Sequence, residues 1–392
     1  MDSRGAASGA GGAGCHGTAE PRRCESRSQT PLPGVPAMEH LTRLYGMAEL
    51  EYKPMERGAG ALLRGAAPSG LDLLVLPGRD RKVRAVDTLT GEVVWSVETL
   101  GMNVAAPVRF GDDVIVASLD GTVRRLSARN GRAVWKTQPL GTGGILEAPA
   151  VAGDQLFVTT TDNRLVALST VTGERIWDRR RPHRSDLTIA GQAGALVVGD
   201  RVITGTSDGQ VVAYAVSDGA TDWSVNLAGD AEEFVDVDAT PVLADGVVIT
   251  AGYATGLVGL SPTDGSVLWT VPGEAFTTPA LARDGVLYAP QASGRLTAVE
   301  AKSGAVLWAS QIRSGTPARP VVAHGYVFVP TERALLVCDS RTGRVHTSFD
   351  DGFGFAAPPV VAANQGSAAP AKAVGQRVFL PSNSGQLYTL NF

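Results

Sequence analysis

Residues 84–95 read Arg-Ala-Val-Asp-Thr-Leu-Thr-Gly-Glu-Val-Val-Trp, and the same pattern returns along the chain. All six tryptophans close a copy of it: Trp95, Trp135, Trp177, Trp223, Trp269 and Trp308. Successive tryptophans are 40, 42, 46, 46 and 39 residues apart. A period near 40 residues is typical of folds that stack copies of one supersecondary unit. The sequence therefore indicates a repeat architecture over most of its 392 residues.

Two further copies are incomplete. The seventh keeps Asp339 and Gly343 but has Thr347 in place of the tryptophan, and the eighth, residues 385–392, stops after one strand. Upstream of the Trp-bearing hairpin, the repeats carry a short strand after a proline and then an apolar strand such as residues 113–118. Each unit thus holds four strands, and no helical period runs through the repeats. These features predict an all-β fold, an eight-bladed β-propeller of four-stranded blades.

The repeats also set the predicted domain boundaries. Residues 1–47 are rich in Gly, Ala, Ser, Arg and Pro and are expected to be a disordered low-complexity segment, because ordering them would bury little apolar surface. Residues 48–392 are expected to form the propeller. The eighth unit lacks its last strand, and the segment 50–54 is positioned to supply it and close the ring.

The tryptophans are interpreted as structural. Burial of a Trp side chain removes about 150 to 250 Å² of its surface from water, and one blade alone cannot cover that area. Each Trp is therefore expected to dock its blade against the next one. The Gly four residues before each Trp is expected to take a positive φ in the turn between the third and fourth strands.

Composition excludes several classes of function. The chain has 35 Lys plus Arg against 39 Asp plus Glu, so it shows no basic excess for nucleic acid. Its apolar runs are too short for a membrane helix, and no transmembrane segment is predicted. The three cysteines, Cys15, Cys24 and Cys338, have no metal or redox spacing, and no catalytic set, metal site or bound cofactor is predicted. Residues 5–14 contain only Gly, Ala and Ser, so no signal peptide is visible.

The pattern Ala-x-Asp-x-x-Thr-Gly-x-x-x-Trp resembles the quinoprotein, or PQQ-like, propeller repeat, and the resemblance covers residues from about 50 to 392. Two kinds of protein share this repeat: dehydrogenases that bind pyrroloquinoline quinone, and the non-enzymatic BamB-type subunit of the outer-membrane β-barrel assembly machine. The dehydrogenases are usually longer, with a disulfide between adjacent cysteines and an Asp base beside calcium. No two cysteines are adjacent here, which favours the BamB type.

A second match points the same way. Residues 236–242, Asp-Val-Asp-Ala-Thr-Pro-Val, resemble the BamB-type segment Asp-Val-Asp-Thr-Thr-Pro-Val. The resemblance implies that Asp236 and Asp238 bind a BamA-type barrel subunit, from a loop where both are expected to project between blades four and five. The other family contact, Leu-x-Leu-Arg, resembles residues 187–190 and assigns partner binding to Leu187 and Ile189, with Ala190 in place of the Arg.

The resulting hypothesis is a non-enzymatic protein-binding scaffold, a BamB-like component of outer-membrane protein assembly that acts as a monomeric propeller. By resemblance it would lie at the periplasmic face of the outer membrane, although no lipobox is visible. Two alternatives stay open: a quinone-dependent dehydrogenase-like enzyme, and a cytoplasmic interaction platform.

Overall fold

The computed structural model describes residues 40–43, 60–63, 72–181, 192–229, 235–273, 276–277, 279–281, 284–362 and 377–391. The chain divides into two units, residues 1–37 and residues 38–392, and everything described belongs to the second. The segment predicted to be disordered, residues 1–47, lies outside the described residues except for positions 40–43.

The described chain is a succession of short antiparallel strands, numbered here in chain order. The first sixteen are β1 (His40–Arg43), β2 (Ala61–Leu63), β3 (Leu73–Pro77), β4 (Lys82–Asp87), β5 (Val93–Glu98), β6 (Val108–Phe110), β7 (Asp113–Ala117), β8 (Val123–Ser127), β9 (Ala133–Lys136), β10 (Ala150–Ala152), β11 (Gln155–Thr160), β12 (Arg164–Ser169), β13 (Arg175–Arg180), β14 (Ala195–Val198), β15 (Arg201–Gly205) and β16 (Gln210–Ala215).

The second sixteen complete the ring. They are β17 (Thr221–Asn226), β18 (Val242–Ala244), β19 (Val247–Gly252), β20 (Gly256–Leu260), β21 (Val267–Val271), β22 (Ala280–Leu281), β23 (Val286–Pro290), β24 (Arg295–Glu300), β25 (Val306–Gln311), β26 (Val321–Ala323), β27 (Tyr326–Pro330), β28 (Leu335–Asp339), β29 (Val345–Phe349), β30 (Val360–Ala362), β31 (Arg377–Pro381) and β32 (Leu387–Asn391).

These strands form eight four-stranded sheets, each a blade, and in blades 1 to 7 neighbours in sequence are neighbours in the sheet. Blade 1 is β2 to β5, blade 2 is β6 to β9, and the count continues to blade 7, β26 to β29. Blade 8 has the order β1-β32-β31-β30. First strands of neighbouring blades contact one another at most junctions, including β2 with β30. The predicted eight-bladed, all-β propeller is confirmed.

The core lies between blades. The second strand of blade 1, β3, is buried over its whole length, which fits an apolar run covered on both faces. Val75 and Val83 of blade 1 pack in one cluster with Val114 and Val116 of blade 2. Since each blade buries its faces only against its neighbours, the stability of a blade depends on the blades beside it.

The turn between the third and fourth strands explains the Asp-x-x-Thr-Gly part of the repeat. In blade 1 the Asp87 carboxylate accepts a hydrogen bond from the Leu89 amide at 2.8 Å, and the Gly91 amide donates to the Asp87 carbonyl at 2.9 Å. Gly91 has φ of 76°, a conformation that glycine adopts without a side-chain clash. The glycines four residues before the other tryptophans also have positive φ, as predicted.

Each indole spans the gap to the next blade. Trp95 of blade 1 is 7% exposed and donates from Nε1 to the Ala128 carbonyl of blade 2 at 2.7 Å. The same bond is repeated at five more junctions: Trp135 to Thr170, Trp177 to Val216, Trp223 to Pro262, Trp269 to Ala301 and Trp308 to Ser340. The turn glycine of the receiving blade lies against the ring, as Gly173 does on Trp135, where a Cβ would come within 2.7 Å.

The ring closes through an N-terminal strand, but not the predicted one. The residues that pair with β32 are those of β1, with His40 opposite Asn391 and Arg43 opposite Tyr388. The assignment of residues 50–54 to this position was wrong, and that segment lies outside the described residues. One strand of blade 8 therefore comes from the N-terminal side of the chain and three from the C-terminal side.

Candidate functional site

The connections between blades all emerge at one end of the propeller. Because the strands within a blade alternate in direction, the turn between the second and third strands lies at the same end as the connection to the next blade. We call this end the connection face. The turns that hold the Asp-x-x-Thr-Gly motif lie at the opposite end. The segment 236–242 ends the connection between blades 4 and 5, where the sequence placed it.

The two predicted aspartates have different surroundings. Asp236 is 2% exposed, so the expectation that both side chains project from the loop was wrong for this residue. Its backbone carbonyl lies against Gly252, and the Val237 carbonyl lies against Gly205; a Cβ at either glycine would overlap these oxygens. The segment is thus wedged between the ends of β15 and β19, and this packing turns Asp236 inward.

Asp238 lies at the edge of a cavity and is only partly buried. The backbone after it is fixed, since the Ala239 amide donates to the Ala251 carbonyl at 3.1 Å and the Ala239 carbonyl accepts from the Thr250 hydroxyl at 2.9 Å. Asp238 is therefore the predicted carboxylate that the structure leaves accessible. The other predicted partner residues, Leu187 and Ile189, lie outside the described residues.

The cavity measures about 300 Å³ and lies on the connection face. Its lining comes from connections and turns of several blades: Glu147, Asp238, Ala239, Thr277, Thr316, Pro317, Ala318, Arg319, Glu332, Phe355 and Ala356. Four of these side chains are ionisable, three carboxylates and one guanidinium. A cavity of this size is at the lower end of the range for small-molecule sites, about 300 to 1,000 Å³.

One wall of the cavity is held by a hydrogen-bond chain across three connections. The Thr240 hydroxyl donates to the Glu147 carboxylate at 3.3 Å and accepts from the Gly194 amide at 2.9 Å. Glu147 also acts on Arg319 through its charge. The surrounding protein withdraws the Arg319 guanidinium from bulk water and lowers its pKa, and the Glu147 carboxylate opposes this effect.

Glu147, Arg319 and Glu332 were not among the site residues predicted from the sequence. Arg319 had a signal: it stands before the proline of its repeat, where the other repeats that hold this proline have Ala, Thr or Pro, as in Ala106, Ala148, Thr240, Thr278 and Pro358. It is thus a charged residue at a position that is otherwise neutral. Glu147 had a similar signal, since it stands two residues before Pro149, where the other repeats have Ala or Thr, as in Ala105, Ala239, Thr277, Ala318 and Ala357. Glu332 lies in the turn between β27 and β28, and only the ring brings Glu147 into one cavity with Arg319 and Glu332.

The described residues do not fit the quinone site that the dehydrogenase resemblance implies. Within the ranges that the structure covers, no three His, Cys, Asp or Glu side chains are arranged to hold a metal ion. Cys338 is a buried free thiol in β28, and burial raises its pKa to about 12, so the thiol stays protonated. No step through a quinone is derived for this chain.

Among the described residues, no helix has the length and apolar character to cross a membrane.

Comparison with known proteins agrees with the fold. The chain is 27% identical to the outer membrane protein assembly factor BamB of Yersinia pestis over 312 residues, which is 78% of this chain and 68% of that protein. The crystal structure of BamB from Moraxella catarrhalis matches 90% of this chain and 98% of its own, with a TM-score of 0.71 and 18% identity.

The same fold occurs in an enzyme. Quinohemoprotein alcohol dehydrogenase from Comamonas testosteroni matches 90% of this chain and 76% of its own, with a TM-score of 0.67 and 16% identity. At this identity the match shows only a common propeller. The family model described as outer membrane protein assembly factor BamB matches residues 79–259 and 254–392, most of the chain. The chain therefore belongs to the BamB-type family of PQQ-like propellers.

Proposed function

We propose that this chain is a non-enzymatic scaffold that binds a protein partner on its connection face, as a component of outer-membrane β-barrel protein assembly. The observation that carries the proposal is the segment 236–242, which resembles the family's partner-binding segment and is fixed on that face with Asp238 accessible. The family relatives named as assembly factors support this role.

The contact that we propose is electrostatic. Asp238 is partly exposed on a backbone held by rigid strands, so its carboxylate can accept a charge-assisted bond from Arg or Lys of the partner. Asp236 has a different part in the proposal: it fixes the shape of the segment from inside. Leu187 and Ile189, on the neighbouring connection between blades 3 and 4, would add apolar contact.

The partner in this proposal is a barrel-forming subunit of the BamA type, and the propeller acts as a monomer at the periplasmic face of the outer membrane. The alternative location is the cytoplasm, where the same face would serve another partner. Fractionation of the native cells, with mass spectrometry of the mature N-terminus, distinguishes the two. A cytoplasmic chain that keeps its first residues would contradict the assembly role.

A pull-down with the periplasmic domain of a BamA-type subunit tests the contact. We expect Asp238→Ala to weaken binding at least about tenfold, because it removes one partner of a charged pair in the interface. Asp154→Ala is the matched control, since Asp154 is an exposed carboxylate in the turn between β10 and β11, at the opposite end. Equal recovery by Asp238→Ala and the wild type, or recovery by neither, would refute this contact.

The enzymatic alternative has its own test. The absorbance spectrum of the purified protein, with and without added pyrroloquinoline quinone and calcium, should show no bound chromophore if the chain is a scaffold. A quinone spectrum that stays with the protein through gel filtration would contradict the proposal.

A further inference from the structure

Two opposite charges line the cavity without a hydrogen bond or ion pair to any described residue. Arg319 and Glu332 both line the cavity, and both side chains are solvent-exposed there. Among the residues that the structure describes, neither side chain has a hydrogen bond or an ion pair, and the two do not pair with each other. Glu147 and Asp238, the other carboxylates of the lining, do have partners.

Neighbouring hydrogen bonds fix the backbone at Arg319 and Glu332. The Ala318 amide, one residue before Arg319, donates to the Pro330 carbonyl at 2.8 Å. The Phe355 amide donates to the Thr331 carbonyl at 2.8 Å, one residue before Glu332. Gly354, with φ of 78°, packs directly on the Glu332 carbonyl, where any Cβ would overlap it. The three segments therefore form one connected wall, and little reorganisation is needed for both charges to face a ligand.

The surroundings of the Arg319 guanidinium favour an anionic partner. The ring of connections partly removes the Arg319 side chain from water, which lowers its pKa. Although the Arg319 side chain is exposed to the cavity, an anion bound beside it would favour its charged form. A ligand that brings a carboxylate to Arg319 and a cation to Glu332 would satisfy both groups at once. A simple anion would instead meet three carboxylates of the lining, and a simple cation would meet the guanidinium.

We propose that this cavity binds a small zwitterion, with its carboxylate at Arg319 and its ammonium group at Glu332. The volume of about 300 Å³ accommodates a free amino acid or a short peptide, and the Thr277 and Thr316 hydroxyls and Pro317 supply the neutral part of the lining. A free amino acid and a short peptide both carry a carboxylate and an ammonium group. They differ in the distance between these two charged groups. Asp238 belongs both to the lining of this cavity and to the proposed partner contact, but binding of the zwitterion does not depend on the assembly role.

Calorimetric titration of the full chain tests the proposal with defined probes: L-alanine, trialanine, N-acetyl-trialanine and trialanine amide. We expect L-alanine or trialanine to bind. The one that binds shows whether the ligand is a free amino acid or a short peptide. If trialanine binds, it should do so at least about tenfold more tightly than either capped form, since each cap removes one charge-assisted contact. For L-alanine the matched probes are N-acetyl-L-alanine and L-alanine amide, with the same expectation. No binding by either zwitterion, or capped forms that bind equally well, overturns the proposal.

Two variants assign the ends of the ligand. Arg319→Gln should abolish the advantage of the zwitterion over its amide, and Glu332→Gln should abolish its advantage over the N-acetyl form. The matched controls are Arg341→Gln and Glu92→Gln, exposed residues of turns at the opposite end of the propeller, which should change neither ratio. Thermal unfolding confirms that each variant is folded. Ratios unchanged in both folded cavity variants would overturn the assignment.

Discussion

Arg377 donates from Nη1 to the carbonyl oxygen of Thr88 at 3.0 Å, across the junction between blade 8 and blade 1. Thr88 lies three residues before Gly91, and at six other junctions the carbonyl in the same position accepts a tryptophan Nε1. Blade 8 has no tryptophan, so the guanidinium makes the bond that an indole makes elsewhere. This junction also joins the two ends of the propeller sequence.

Arg377→Ala should therefore weaken ring closure. We expect a loss of about 1 to 2 kcal/mol in the free energy of unfolding, because a charge-assisted hydrogen bond to a partly buried carbonyl is lost. Urea unfolding followed by tryptophan fluorescence measures it. The control is Arg341→Ala, an exposed turn residue of blade 7, which should stay within about 0.5 kcal/mol of the wild type. Equal effects of both substitutions would contradict the role of Arg377.

Removal of the N-terminal strand tests the closure itself. A chain that begins at residue 38 keeps β1 and should unfold at the same temperature as the full chain. A chain that begins at residue 44 loses the partner of β32 and should unfold at a lower temperature, because the edge of β32 is exposed. Both chains keep residues 50–54. Equal midpoints would mean that β1 does not contribute to closure.

The tryptophan at a complete junction should contribute more than Arg377. Trp177 is 7% exposed and donates to the Val216 carbonyl at 2.9 Å. We expect Trp177→Ala to cost about 3 to 5 kcal/mol, the usual range for truncation of a buried aromatic side chain. Trp177→Phe keeps most of the apolar contact and should cost less. Unfolding in urea gives both values, and a Trp177→Ala variant as stable as the wild type would exclude a docking role.

Acid should destabilise the propeller through the aspartates of its turns. Burial alone would raise the pKa of Asp162, but hydrogen bonds from the Thr160 hydroxyl and from Arg164 outweigh it, and the pKa is lowered from 3.8. The pKa of Asp339 is lowered in the same way by bonds from Thr342 and Arg341. Groups with a depressed pKa in the folded state stabilise it above their unfolded pKa, and this contribution is lost as the pH falls through the folded value.

The unfolding midpoint should therefore fall as the pH drops below about 4. Asp162→Asn should be less stable than the wild type at neutral pH and should lose less stability on acidification. Thermal unfolding across this range measures both effects. A wild-type midpoint that does not change between about pH 5 and 3 would show that these carboxylates do not contribute.

Substitution of Asp236 should lower the stability of the fold, whereas substitution of Asp238 should not. Asp236→Ala should lower the free energy of unfolding by about 1 to 3 kcal/mol, because it removes a buried side chain and leaves a cavity in its place. Asp238→Ala should leave stability within about 0.5 kcal/mol, since the side chain lies at the cavity edge. Urea unfolding of both variants compares them. The reverse order would mean that Asp238, rather than Asp236, supports the segment.

The repeat in the sequence was sufficient to predict the blades. Its features are local: the Asp-x-x-Thr-Gly turn needs only a few neighbouring residues, as Asp87 and Gly91 show, and a Trp every 40 or so residues marks each junction. Such signals survive in a single sequence because each copy repeats the same short-range geometry. Fold class, blade number and the positive φ of the turn glycines followed from them.

The closing strand, the orientation of the two aspartates and the cavity lining were decided only by the tertiary structure. The choice between residues 40–43 and 50–54 as the closing strand rests on pairing with β32, nearly 350 residues away, and neither segment carries the repeat. Asp236 turns inward and Asp238 stays accessible because the segment is wedged against Gly205 and Gly252, which belong to two different blades. Glu147 and Arg319 line one cavity because the ring gathers connections that lie far apart in the sequence.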